Sequence, residues 1–149
     1  MKPNREGSAK GISRANVVTS KDDLFSRVKD IIVTYRQEVL VEEFIDGKEL
    51  TVGILENGKP TVFPILEIDF STCSSSGEYF YSWKMKEYQG NVELGCIPTF
   101  YCPARLDKEV EEKVKNVALR THQAVGCYDI SRTDIRLTKD NKIGRASCR

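Results

Sequence analysis

The sequence lacks a long hydrophobic run, a surplus of charge of either sign, and the cysteine pairs of common metal motifs. Its apolar stretches are far too short to span a bilayer, and no apolar core of a secretory signal follows the first residue, so we expect neither a membrane segment nor a leader. Lys and Arg number 23 against 22 Asp and Glu, which gives no electrostatic case for binding nucleic acid or a membrane surface. The remaining composition is that of an ordinary soluble globular protein.

Cysteine and histidine offer no metal signal. No two cysteines form a C-x-x-C pair or another spacing typical of zinc sites. The five are Cys73, Cys96, Cys102, Cys127 and Cys148. We therefore expect buried free thiols in a reducing cytoplasm rather than a disulfide or a metal centre. The single histidine, His122, lies in a predicted helix, where we expect a surface or packing role.

The beginning of the chain combines small residues with positive charge. The run is Lys2-Pro3-Asn4-Arg5-Glu6-Gly7-Ser8-Ala9-Lys10-Gly11. Small residues let backbone N–H groups approach an anion closely, and lysines add point charge, so this composition is typical of a loop that binds phosphate. It does not follow the pattern G-x-x-x-x-G-K-[ST], and a basic surface turn would look much the same.

Two helices and several strands are predicted from periodicity and capping. Ser20, followed by an acid three residues later, predicts the start of an amphipathic helix over 21–36. Asp107 predicts the start of a second helix, which Gly126 ends. Asn57-Gly58 predicts a type I′ hairpin turn. The strands are expected over 39–45, 49–55, 61–68 and 128–137. The segment 71–104 is long and irregular, which is typical of a functional lid.

Two later segments add to the phosphate loop. They are Val39-Leu40-Val41-Glu42-Glu43-Phe44-Ile45-Asp46-Gly47-Lys48-Glu49-Leu50-Thr51-Val52 and Ser131-Arg132-Thr133-Asp134-Ile135-Arg136-Leu137. In this order the three segments resemble the ATP-grasp superfamily, and most closely the D-alanine–D-alanine ligases and their relatives. The resemblance covers roughly residues 2–142. It implies an α+β, ATP-grasp fold, in which two α+β lobes with antiparallel sheets clasp ATP, here incomplete at both ends.

The resemblance also implies a division of the chain. Residues 1–47 would form the small lobe with the phosphate loop and the adenine strap, and 48–142 the start of the large lobe with the lid loop 71–104. Residues 143–149 have no place in the family pattern and resemble the translation of a common sequencing adaptor, so we expect an artefact there. A strand after residue 142 is then missing, and the edge of the strand at 128–137 is expected to be unpaired.

For the phosphates, the resemblance implies two lysines and a backbone flap. Lys2 would contact the α- and β-phosphates, and Lys86 would meet them from the other side, with a part in catalysis. The flap over the phosphates would consist of Glu6, Gly7, Ser8 and Ala9, where Ala9 replaces a serine common in the family. A solvated surface lysine is the alternative for Lys86.

For the nucleoside, the resemblance implies a strap of backbone and two carboxylates. The Glu42 carboxylate would accept a hydrogen bond from the adenine amino group. The backbone of Glu43, Phe44 and Ile45 would form hydrogen bonds with the edge of the adenine ring. Glu49 would take the ribose hydroxyls, which a carboxylate with two acceptor oxygens suits well. The alternative is two solvent-facing acids on an alternating strand.

Arg132 and Asp134 alternate with Thr133, so both side chains point to one face of the predicted strand. The resemblance implies that Asp134 ligates Mg²⁺ (or Mn²⁺) and that Arg132 is catalytic, stabilising the negative oxygen of an acyl phosphate or tetrahedral intermediate. A plain ion pair between the two side chains is the alternative.

The implied activity is that of an ATP-dependent, ADP-forming ligase that makes a C–N bond between two D-alanines through an acyl phosphate, for peptidoglycan synthesis in a bacterial cytoplasm. Small amino acids are the expected partners, with no nucleic acid or membrane, and the full-length protein is expected to form a homodimer.

Glu87 stands where these ligases usually carry Tyr, which favours a different carboxylate–amine pair as the first alternative. A non-catalytic ATP-binding module is the second. Because further magnesium ligands are missing, we expect the 149-residue chain to be inactive.

Overall fold

The computed structural model describes residues 1–76, 79–88 and 97–148, with the backbone alone for 74–76 and 145–148. The chain divides into two compact units. The first unit consists of Met1–Phe44 and Phe70–Ile97, and the second of Ile45–Asp69 and Pro98–Arg149. The chain therefore passes from the first unit to the second, back to the first, and again to the second.

The first unit is built on a helix and a two-stranded sheet. Strand β1, Lys2–Pro3, pairs antiparallel with β2, Val39–Leu40. Helix α1, Lys21–Tyr35, begins where the Ser20 hydroxyl accepts a 3.1 Å hydrogen bond from the Asp23 N–H, which confirms the predicted cap. The unit also holds the short helix α2, Trp83–Glu87, and two 3₁₀ turns, Arg14–Asn16 and Ser71–Ser76.

The predicted strand over 39–45 is wrong beyond Leu40. Its partner β1 is only two residues long, so the ladder ends after Val39 and Leu40. Residues 41–46 take part in no strand ladder. Their backbone groups can therefore be used by side chains or by a ligand.

The second unit is an antiparallel sheet covered on one face by a helix. The strand order is β6-β5-β3-β7-β8, and β4 pairs with β3 beyond the end of β5. The strands are β3 Gly47–Asn57, β4 Lys59–Val62, β5 Leu66–Asp69, β6 Thr99–Tyr101, β7 Ile130–Thr138 and β8 Ile143–Cys148. Helix α3, Lys108–Ala124, follows Asp107 as predicted and is succeeded by Gly126 with a φ of +68°.

The hairpin after β3 is confirmed, but its predicted turn type is wrong. A type I′ turn needs a positive φ at both central residues, and here Gly58 has a φ of +82° while Asn57 does not enter that region. The predicted strand over 61–68 is also divided into β4 and β5. Pro64, which has no N–H to donate to a ladder, lies at the interruption.

The expectation of an unpaired edge at β7 is wrong, because β8 pairs with β7 from Thr133↔Cys148 to Leu137↔Ile143. The turn between them includes Asn141 with a φ of +61°, and the Thr138 N–H donates to the Lys142 carbonyl at 2.8 Å. A ladder is made by backbone groups, so it forms with any residues that tolerate an extended conformation. The adaptor interpretation of 143–149 stays a prediction.

The apolar core lies between the sheet of the second unit and α3. Alternate residues of β3 and β7 are almost completely buried and pack with α3. They are Leu50, Val52, Ile54, Ile135 and Leu137, joined by Val110, Val114 and Ala118 of the helix. Each large side chain contributes about 1.5–3 kcal/mol when fully buried, so this face fixes the register of the two strands.

His122 on α3 is buried rather than exposed, with 1% of its surface accessible. Its Nδ1 lies 2.7 Å from the Ser131 hydroxyl and its Nε2 lies 2.8 Å from the Glu56 carboxylate. The surface role that we considered for His122 is therefore wrong, and the packing role is confirmed.

Cysteine pairing also differs from the prediction. Cys73 is completely buried and disulfide-bonded, so the expectation of free thiols is wrong for this residue. Cys102 and Cys127 form no disulfide. Cys96 and the side chain of Cys148 lie outside the described residues. The spacing of the cysteines in the sequence gave no signal of this bond.

Candidate active site

A row of polar side chains lies on the face of β3 and β7 opposite the core. Glu49 pairs in register with Arg136, Thr51 with Asp134, and Gly53 with Arg132. Since the residues between them are buried under α3, these six positions share the other face of the sheet. The second and third predicted motifs therefore meet here, although Thr51 and Asp134 are 83 residues apart in sequence.

Asp134 is held by two neighbours on this face. The Thr51 hydroxyl donates to Asp134 Oδ1 at 3.1 Å, and the Arg132 Nε lies 3.2 Å from the same oxygen in an ion pair. The plain ion pair that we considered as an alternative is thus present. Because half of the Arg132 side chain is exposed, the pair contributes little energy, and the guanidinium can turn to another anion at low cost.

Arg136 is a site residue that the sequence analysis missed. Its Nε and Nη2 donate to the Ile45 carbonyl at 3.1 and 2.8 Å, and its Nη1 donates to the Glu49 carboxylate at 3.1 Å. Both charged side chains are largely buried. The signal was available, since Arg136 continues the alternation of Arg132 and Asp134.

Lys48, next to Glu49, belongs to a second polar cluster that the sequence analysis missed. Glu67 on β5 is buried and accepts from Lys48 at 3.2 Å and from the Arg105 side chain and backbone N–H, each at 2.9 Å. Burial alone would raise the pKa of Glu67, but the hydrogen bonds from Arg105 and Lys48 outweigh it and lower the pKa below its usual value. This cluster fixes the beginning of β3.

In the first unit, two predicted nucleotide residues contact each other. The Lys2 ammonium lies 2.9 Å from the Glu42 carboxylate, and both side chains are half-buried. An anion that binds Lys2 must therefore compete with Glu42. Glu43 is exposed beside it, and their separate roles toward phosphate and adenine stay predictions.

Phe44 of the predicted strap packs against two aromatic rings of the 79–88 segment. Its ring centroid lies 5.4 Å from that of Tyr79 and 6.0 Å from that of Phe80, both edge to face. Such contacts contribute about 0.5–1.5 kcal/mol each beyond the area they bury. The strap is thus joined to this segment within the first unit.

The predicted phosphate loop has an unusual backbone. Ser8 and Ala9 have φ values of +53° and +61°, a region that side chains enter at a cost. The Lys10 N–H donates to the Gly7 carbonyl at 3.0 Å, which closes the turn. At Gly11 a Cβ would lie 2.7 Å from the Pro3 ring, so glycine is required there.

Gln37, two residues after the end of α1, contacts the same loop. Its carbonyl oxygen accepts from the Arg5 N–H at 2.6 Å, and its amide donates to the Glu6 carboxylate at 3.0 Å. Lys10 also pairs with Glu6 at 3.3 Å. Gln37 was not predicted, since nothing in its local sequence marks it as a partner of residues 31 or 32 positions earlier.

The predicted lid is described only in part. Lys86 lies on α2 with its ammonium 4.9 Å from the centre of the Tyr81 ring, a cation–π contact. Glu87 ends the same helix and is exposed. Residues 77–78 and 89–96 of the lid lie outside the described residues.

The chain matches a known protein family and ligases of known sequence. The family described as D-ala D-ala ligase C-terminus matches residues 1–144. The chain belongs to this family. It is 36% identical over 135 residues to a D-alanine–D-alanine ligase of Fervidobacterium nodosum, covering 90% of the chain and 38% of that ligase. The chain thus spans about two fifths of the length of such relatives.

Solved structures of the ligase family agree in fold. The VanG D-Ala:D-Ser ligase from Enterococcus faecalis matches 95% of this chain and 37% of its own, with a TM-score of 0.66 and 27% identity. D-alanyl-alanine synthetase A from Vibrio cholerae matches 95% of this chain and 39% of its own, with a TM-score of 0.70 and 25% identity. The predicted α+β ATP-grasp fold and the resemblance to D-alanine–D-alanine ligases are confirmed.

Within this family member, no helix among the described residues is long and apolar enough to cross a membrane. Nor do the described residues contain a group of three or more His, Cys, Asp or Glu side chains that could enclose a metal ion.

Proposed function

We propose that this chain supplies nucleotide-binding and catalytic residues to an ATP-dependent, ADP-forming ligase that joins two D-alanines for peptidoglycan synthesis. One observation carries the proposal. The two motifs that hold Glu49, Arg132 and Asp134 meet on the polar face of β3 and β7. The pairing therefore puts on one face of the sheet the residues that the family resemblance assigns to binding the ribose, stabilising the oxyanion and ligating the metal.

In the proposed reaction, a carboxylate oxygen of the first D-alanine attacks the γ-phosphorus of ATP, and ADP leaves. The amine of the second D-alanine then attacks the acyl carbon, phosphate leaves, and the amine releases a proton. Such transfers depend on positioning and on stabilisation of charge. The exposed guanidinium of Arg132 would leave Asp134 and stabilise the negative oxygen, while Lys2, Lys86 and the 6–9 flap would hold the phosphates.

The residues at Asp134 fit one side of a magnesium or manganese site. Its carboxylate is partly exposed and is oriented by the Thr51 hydroxyl, and Mg²⁺ prefers oxygen ligands of this kind. Mg²⁺ in nucleotide sites often takes one or two carboxylates from the protein and the rest from phosphate and water. When bound, the ion would neutralise charge on the phosphates.

A ligase for another amine is the second candidate. The VanG relative is by its description a D-Ala:D-Ser ligase, and 37% of its length matches 95% of this chain. Glu87, which stands where Tyr is usual in D-alanine ligases, is exposed at the end of α2. An acid there would favour an acceptor with a hydrogen-bond donor over a second D-alanine. The non-catalytic module is less favoured, because Lys2, Glu42, Arg132 and Asp134 are all retained.

Other features of the whole protein are proposals of the same kind. We propose that residues 1–47 form a small lobe and that residues 48–142 form the start of a large lobe. We also propose that the protein is cytoplasmic and forms a homodimer. The disulfide at Cys73 removes one argument for a reducing compartment, so the location depends on the substrates alone. Small amino acids would be the partners.

The activity can be tested with a version of the protein extended to the length of its relatives. ADP release would be measured with ATP alone, with D-alanine, and with D-alanine plus D-serine. We expect release that depends on D-alanine, and loss of turnover with retained ATP binding in Arg132→Met. Arg120→Met is the matched control, since Arg120 lies exposed on α3. No ADP release with any amino acid would refute the ligase proposal.

A further inference from the structure

We infer that Arg136 is a positioning residue for the nucleotide, which sets the Glu49 carboxylate and the Ile45 carbonyl in place together. The inference rests on the proposed function, because it assumes that Glu49 takes the ribose hydroxyls and that Ile45 ends the adenine strap. It adds a residue that no family motif in the sequence assigned.

The geometry is that of a guanidinium shared between two acceptors. Two of its N–H groups reach the Ile45 carbonyl, at 3.1 and 2.8 Å, and a third reaches the Glu49 carboxylate at 3.1 Å. The planar group fixes the angle between these bonds, so the two acceptors cannot move independently. A lysine would offer a single point of charge and could not hold both in the same way.

The residues around Arg136 restrict the movement of its side chain and of its two acceptors. Arg136 lies directly opposite Glu49 in the ladder between β3 and β7, and its side chain is only 14% exposed. Ile45 belongs to no strand, so no ladder holds its carbonyl. An ion pair with so little exposure is weakly screened by salt and water.

The chain between the two acceptors is fixed independently. At Gly47 a Cβ would lie 1.9 Å from the Leu137 carbonyl oxygen, so the backbone passes directly against β7 at the residue that follows Arg136. The positions of Ile45, Gly47 and Glu49 are therefore all set by contacts with two neighbouring residues of β7, Arg136 and Leu137. A displaced Arg136 would move the end of the strap and the ribose acid at once.

The test compares the affinities of the chain for ATP and for 2′,3′-dideoxy-ATP, which lacks the ribose hydroxyls, by isothermal titration. A charged hydrogen bond to the hydroxyls should give an ATP preference of about tenfold in the unsubstituted chain. In Arg136→Met we expect the preference to fall to about twofold or less, as in Glu49→Ala. Arg120→Met, an equal loss of charge on the exposed face of α3, should keep the full preference.

A purely structural role would change the stability of the chain without changing the ratio of the two affinities. An Arg136→Met chain that folds and keeps the full preference would overturn the inference alone. If Arg136→Met does not fold, Arg136→Lys decides: a reduced preference supports the inference, and a full one overturns it. If the unsubstituted chain binds no ATP or shows no preference, the proposed function of Glu49 fails, and the inference fails with it.

Discussion

The buried carboxylate of Glu67 tests whether the polar cluster beside the site stabilises the fold. Glu67 is 2% exposed and accepts hydrogen bonds from the Arg105 backbone, the Arg105 guanidinium and the Lys48 ammonium. Replacing it with Gln keeps the shape and one acceptor oxygen but removes the negative charge. Arg105 and Lys48 then face a neutral group.

The expected cost follows from the exposure of the three partners. Arg105 and Lys48 have side chains that are 49% and 40% exposed, so water can solvate them once the carboxylate is gone. The loss is therefore smaller than the roughly 3–5 kcal/mol for a stranded buried charge. It should be close to the net contribution of a charged hydrogen bond, about 2 kcal/mol in the free energy of unfolding at pH 7.

The pH dependence has a definite sign. The pKa of Glu67 is lowered in the folded chain from its usual value of 4.5, because the hydrogen bonds from Arg105 and Lys48 outweigh the opposing effect of burial. A lowered pKa means that this stabilisation is complete above the unfolded pKa and is lost as the pH falls through the folded value. The difference between the chain and Glu67→Gln should therefore shrink below about pH 4.

Urea unfolding at pH 7 and at about pH 3.5 would measure both effects. Glu109→Gln is the matched control, because Glu109 also pairs with a lysine, Lys113 at 2.6 Å, but on the exposed face of α3. The control should change the unfolding midpoint very little. Equal losses in the two variants, or a Glu67→Gln deficit that is the same at both pH values, would refute this account of the cluster.

Three further predictions concern the nucleotide and substrates. In an extended version, Glu49→Ala should raise the ATP KM about tenfold, since a charged hydrogen bond contributes ~1.5–3 kcal/mol, and an unchanged KM would remove the ribose assignment. Glu87→Tyr should raise D-alanine dimer formation relative to other amine acceptors, measured by phosphate release over amino-acid pairs. An unaltered preference would show that Glu87 does not select the acceptor. The 149-residue chain itself should form no ADP in response to D-alanine, and clear turnover would contradict the expected shortage of metal ligands.

The sequence predicted those elements whose signals are local. Ser20 with an acid three residues later gave the start of α1, and Gly126 gave the end of α3, because capping bonds and positive φ values are decided within a few residues. The resemblance to the family indicates the motif around Arg132 and Asp134, and the alternation of an extended strand puts both side chains on one face of the sheet, as the structure has them.

What the sequence did not predict depends on contacts between distant residues. The sequence predicts a strand through Ile45, but the ladder ends at Leu40 because its partner β1 is only two residues long. The sequence does not predict the role of Arg136, because its acceptor at Ile45 lies 91 residues earlier. The disulfide at Cys73 left no spacing signal either.

The pairing of β3 with β7 connects these local and distant features. Its buried face sets the register through apolar packing against α3, and the same register places Glu49 opposite Arg136 and Thr51 opposite Asp134 on the other face. A slip of one residue would exchange the two faces and bury the charges, so the core excludes it. The polar residues therefore need little packing energy of their own. Their side chains are available for ligand contacts. Substitutions that enlarge or shrink the core-facing side chains of β3 and β7 should alter the site as strongly as substitutions of the polar residues themselves.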